Sequence, residues 1–105
     1  MRKTYNKLVR DRIPEIMENA GKAYTVRELR DDEYVAQLIT KLHEEATEVS
    51  ESSGDIQELA DTLEVIRALC DAKGHTLEEL EGIRRQKAET RGGFQRRLFL
   101  VDGEI

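Results

Sequence analysis

Apolar residues recur along this chain at the three- and four-residue spacing of amphipathic helices, and Gly or Pro marks the ends of the runs. Ile13-Pro14 opens a short helix, since Pro is tolerated in a first turn, and Gly21 is a natural residue to close it. The β-prone string Ala23-Tyr24-Thr25-Val26-Arg27 predicts a short strand. Asp31 or Asp32 then caps a long helix over about 32–51, with Val35, Leu38, Ile39, Leu42, Ala46 and Val49 at helical spacing. Ser52-Ser53-Gly54 breaks it, and a second long helix runs over about 55–73 until Gly74. Its apolar set (Ile56, Leu59, Ala60, Leu63, Val65, Ile66, Ala68, Leu69, Cys70) is wider than one stripe, which predicts burial on more than one side. Either a central bundle position or a self-association face would supply that. Thr76 with Glu79 forms a capping box for a last helix to about Arg91, stopped by Gly92-Gly93. Residues 94–101 read as an extended tail. The expected class is all-α: a helical bundle built on a long antiparallel hairpin plus a C-terminal helix, with a minor β element near 23–27 and 94–101.

Composition narrows this. The 105 residues suit one domain over 1–105, with 37% charged and 38% apolar residues and no Trp. A chain this small buries a modest share of its surface and gains by oligomerising, so a dimer or tetramer is expected. The net charge of −5 argues against nucleic acid or anionic membrane as partner. It leaves phosphate substrates open, because a divalent cation bridges acidic residues to phosphate oxygens. The single cysteine, Cys70, excludes an intramolecular disulfide and a Cys-based zinc site. No run approaches a membrane span and no signal-peptide core is visible, so the chain reads as cytoplasmic.

The candidate chemistry lies on the hairpin. Glu45 and Glu48 stand at i and i+3 on the first long helix, and Glu58 and Asp61 repeat the spacing on the second. The tight Ser-Ser-Gly connection makes the helices antiparallel neighbours. The pairs Glu48/Glu58 and Glu45/Asp61 are both centred on residue 53, inside that turn, so each pair should sit level. Four carboxylates gathered within one helical turn repel by about 1 kcal/mol per pair even in water, and a cation relieves that. Hard oxygen ligands select Mg²⁺, or Mn²⁺. Acidic residues at this spacing also occur as plain solvated helix faces, and spacing alone does not separate the two. On a helical wheel Glu45 flanks the apolar stripe and Asp61 falls on the second apolar side.

The string Glu44-Glu45-Ala46-Thr47-Glu48, followed by Glu58-Leu59-Ala60-Asp61, resembles the EExxE…ExxD signature of the all-α nucleotide pyrophosphohydrolases. MazG proteins, dimeric dUTPases and phosphoribosyl-ATP pyrophosphohydrolase belong to that superfamily. Two flanking blocks are similar to stand-alone phosphoribosyl-ATP-pyrophosphohydrolase-like proteins: Tyr5 to Pro14 (YNKLVRDRIP) and Lys87 to Phe94 (KAETRGGF). The resemblance covers essentially the whole chain. It implies hydrolysis of a nucleoside triphosphate between the α- and β-phosphates, with Glu45, Glu48, Glu58 and Asp61 as Mg²⁺ ligands. It further implies that Glu44 or Glu45 serves the attacking water, and that Asn6, Lys7, Arg10, Lys87 and Arg91 contact the nucleotide. Read from the residues alone, Glu44 is equally a solvated neighbour of the ligands, and Lys87 and Arg91 equally a basic last turn complementing the helix dipole. Thr62-Leu63-Glu64-Val65-Ile66 after Asp61 lacks the acidic-aromatic-histidine pattern of the histidine-biosynthetic enzymes, which points to a housecleaning role. Glu64 is a further acidic candidate. A non-catalytic nucleotide-binding or helical adaptor protein that keeps the fold is the alternative.

Other signals carry less. His43-Glu44 lacks the second histidine of a zincin, and His75 follows Gly74 in a loop. No phosphate-binding glycine-rich motif occurs.

Overall fold

Ser52 to Asp55 turns the chain back with little slack. The Gly54 N–H donates to the Val49 carbonyl at 2.9 Å, closing the C-terminus of one helix. Ser53 and Gly54 both take positive φ, 56° and 85°, and glycine makes the second of these free of strain. Asp55 then accepts the Gln57 N–H at 3.0 Å and caps the next helix. Two caps three residues apart leave the flanking helices only an antiparallel course. The computed structural model describes residues 1–105 and contains four helices: α1 (Ile13–Asn19), α2 (Asp31–Glu51), α3 (Ile56–Ala72) and α4 (Leu77–Arg91).

The fold is all-α, with α2 and α3 packed as the predicted hairpin. Along their seam lie Leu38, Leu42, Glu45 and Val49 on α2, against Glu58, Thr62, Val65 and Leu69 on α3. Both sets follow the four-three-four rhythm of helices crossing at a small angle. Leu38 and Val65 are the only buried apolar side chains of the chain. The capping box before α4 is present: Thr76 Oγ1 accepts the Glu79 N–H at 3.1 Å, and Glu79 Oε1 accepts the Thr76 N–H at 3.4 Å. At α2 the cap differs from expectation. Arg30 is the N-cap residue, its N–H donating to Glu33 Oε1 at 3.3 Å, and Asp31 and Asp32 sit within the first turn, where they favour the helix dipole.

The minor β element is not formed. Residues 23–27 and 94–101 contain no strand, because neither segment meets an edge with which to pair. In the first, the Tyr24 hydroxyl donates to Glu18, tying the segment back to α1. In the second, Phe94, Leu98, Phe99, Leu100 and Val101 all stand in solvent.

The broad apolar surface of α3 is covered on one side only within this chain. α4 approaches α3 and no other helix, and α1 makes no close backbone approach to any. Ile56, Leu59 and Leu63 on α3, and Leu77, Leu80 and Ile83 on α4, therefore remain exposed. The radius of gyration is 18.2 Å, against about 13 Å for a compact chain of this length. No helix is long and apolar enough to cross a membrane.

Candidate metal centre

Glu45, Glu48, Glu58 and Asp61 each present a carboxylate oxygen within 4.8 Å of the others. The convergence expected from the turn is present, because α2 and α3 leave the turn as an unbroken hairpin. Glu45 does not flank the apolar stripe, as the helical wheel suggested, but occupies it. It holds a seam position between Leu42 and Val49, where packing favours an apolar residue, and is 8% exposed. Glu58 holds a seam position on α3, one turn nearer the connection than Asp61, and both are half-buried; Glu48 lies at the open side.

Two oxygens of this group, Glu45 Oε2 and Glu58 Oε2, are shut off from solvent and have no hydrogen-bond partner. An orphaned buried carboxylate oxygen is costly, and natural structures retain few of them. Glu48 lies close enough to share a proton with either neighbour, but when all three are ionised no donor exists. The protonation equilibria reflect this. Burial pushes the Glu45 carboxyl above the usual range, the adjacent Glu48 adds to the shift, and Lys41 opposes it. Loss of hydration raises Glu58 as well, again reinforced by Glu48 and then by Asp61.

Cations on the chain meet part of the charge. Arg10 Nη2 donates to Asp61 Oδ1 at 2.8 Å, and Lys41 Nζ lies 3.9 Å from Glu45 Oε1. Arg10 opposes Asp61 directly, while Lys41 is shared between Glu45 and Glu44. The group thus keeps an excess of negative charge that a divalent ion would offset. Oxygens facing each other across Mg²⁺ are about 4.2 Å apart, so the 4.8 Å spread closes on a single ion with small side-chain rotations. The donor set, the orphaned oxygens and the charge balance all fit a hard divalent cation.

The other predicted residues are placed as follows. Glu44 adjoins the group but leans toward Lys41, 4.0 Å from its Nζ. Glu64 is exposed and lies outside the group, beside Arg67 and Asp71. Asn6, at a φ of 46°, and Lys7 are exposed on the N-terminal segment and make no contact with the carboxylates. Lys87 and Arg91 sit on α4, with no ion pair or hydrogen bond to the group. Arg10 alone of the five reaches it, and it does so through Asp61. Lys41 was missed at the sequence level, although its i, i+4 spacing to Glu45 was a readable signal.

A stability test follows from the raised Glu45 pKa. A carboxyl whose folded-state pKa is raised favours folding below its unfolded value of about 4.3 and loses that advantage as pH rises through the folded value. Glu45→Gln keeps the shape, removes the charge and offers an amide donor to Glu48. Metal-free Glu45→Gln is expected to match wild type at low pH and to exceed it by on the order of 1 kcal/mol near neutrality. Urea unfolding in chelator across that pH range checks this; a constant difference, or one that shrinks as pH rises, refutes it.

No family model matches the chain, and no solved structure matches it. An uncharacterized protein of Mycolicibacterium smegmatis is 52% identical over 42 residues, a match spanning 40% of this chain and 43% of that protein.

Proposed function

We propose that this chain is a Mg²⁺-dependent nucleotide pyrophosphohydrolase that works as a dimer or tetramer. The observation that carries the reading is the meeting of Glu45, Glu48, Glu58 and Asp61 within 4.8 Å, with two of their oxygens buried and unpaired. The EExxE…ExxD spacing and its two flanking blocks supply the substrate class. The overall reaction is nucleoside triphosphate plus water to monophosphate plus pyrophosphate.

When bound, Mg²⁺ would neutralise phosphate oxygens and make a coordinated water more acidic. The four carboxylates would hold it, and their places on α2 and α3 keep them on rigid helices rather than loops. In this reading Glu44, next to the ligand group, accepts a proton from the attacking water. Lys87 and Arg91, a turn apart on α4, are suited to phosphate as a point charge and a planar fork. Within one chain neither makes an ion pair or hydrogen bond to the carboxylates, so in this reading they serve a site completed by another copy. Mn²⁺ is expected to replace Mg²⁺.

Purified protein with Mg²⁺, offered canonical and modified nucleoside triphosphates, is expected to release pyrophosphate from at least one of them. Thermal stabilisation by nucleotide without turnover would instead identify a non-catalytic nucleotide-binding protein. A melting curve unmoved by Mg²⁺ and by every nucleotide would leave a helical adaptor.

A further inference from the structure

Arg10 belongs to the block read as nucleotide-binding, yet its guanidinium is engaged elsewhere, on Asp61 Oδ1 at 2.8 Å. This hydrogen bond spans 51 positions of sequence and ties the N-terminal segment to α3. Asp61 needs such a tie. It is 43% exposed at the side chain, and Glu45, Glu48 and Glu58 all repel it. An untethered carboxylate in that field rotates toward solvent, where its charge is better hydrated. The backbone that presents Arg10 is itself held: its carbonyl accepts the Ile13 N–H at 3.1 Å as α1 begins. Two residues on, at the N-cap of α1, Arg12 pairs with Glu15 of that helix at 3.1 Å, so the neighbouring arginine is engaged there rather than at the centre.

We propose that Arg10 is a positioning residue of the metal centre, holding Asp61 in the conformation in which it completes the four-carboxylate group. The inference rests on the metal-centre reading above and deepens it. Ligating carboxylates commonly depend on an outer hydrogen bond for orientation, and losing that bond typically costs 10- to 100-fold in metal affinity. The single N–H contact that Arg10 makes is also within the repertoire of a lysine.

The test is Mn²⁺ binding, read from the electron paramagnetic resonance signal of the free ion, with wild type, Arg10→Ala, Arg10→Lys and Arg12→Ala. Removing a positive charge near an acidic site should by itself tighten cation binding. Positioning predicts the opposite sign for Arg10→Ala: binding roughly tenfold weaker, largely restored in Arg10→Lys, and not weakened in Arg12→Ala. Arg10→Ala binding as tightly as wild type, or tighter, overturns the proposal and leaves the metal centre standing. Equal weakening in Arg10→Ala and Arg12→Ala also overturns it, since the segment as a whole would then be responsible. If wild type and all three variants bind no Mn²⁺, the metal-centre reading fails, and the role of Arg10 falls with it.

Discussion

Glu48→Gln is expected to reduce Mg²⁺-dependent pyrophosphate release by roughly 100-fold or more while leaving the helices intact. A bound cation contributes several kcal/mol of transition-state charge stabilisation, and each 1.36 kcal/mol is about a factor of ten in rate. Glu48 is the most exposed of the four carboxylates and the one that meets both Glu45 and Glu58. Its side chain therefore serves the cation more than the packing. Converting it to an amide removes an anionic ligand and relieves two repulsions, so the metal-free variant should melt no lower than wild type. Those opposite signs separate a lost ligand from a lost fold. A rate within a fewfold of wild type would show that these four carboxylates are not the centre of catalysis.

Leu63→Glu is expected to have the largest structural effect. Leu63 is 57% exposed in the single chain, on the α3 face it shares with Ile56 and Leu59. A monomeric reading makes this a mild surface change, within about 0.5 kcal/mol. The self-associated reading makes it the burial of a charge at an interface, a loss of several kcal/mol. Wild type should sediment at or above twice the chain mass of 12.1 kDa at micromolar concentration. Leu63→Glu should fall to the monomer and lose helical signal in the same step, because a chain with only two buried apolar residues holds little stability of its own. A wild-type monomer at that concentration, or a variant that still associates, would count against the interface.

Much of this architecture is written in local chemistry. The two long helices, their turn and the α4 capping box depend on apolar spacing, Ser53-Gly54, Asp55 and the Thr76/Glu79 pair, all interactions within five residues. Such interactions are readable from a sequence because they need no partner from elsewhere. The level alignment of Glu45 with Asp61 and of Glu48 with Glu58 was equally legible. A tight turn converts distance along the chain into height on the hairpin, and height is a matter of counting.

What counting leaves open is rotation and reach. Whether Glu45 flanks the apolar stripe or lies in it depends on the angle at which α2 meets α3, and packing of Leu38 against the α3 seam sets that angle. The same rotation buries Glu45 Oε2 and Glu58 Oε2 without partners, which turns an acidic surface into a candidate centre. The β-prone segments 23–27 and 94–101 stayed unpaired because strand formation requires a neighbouring edge, a tertiary object that propensity does not supply. Arg10 meeting Asp61 across 51 positions was invisible for the same reason: a long-range contact is fixed by how the chain returns on itself. Four carboxylates at matched heights were thus determined by the sequence alone. Their burial, their missing partners and the arginine that holds one of them were decided by the tertiary packing of helix on helix.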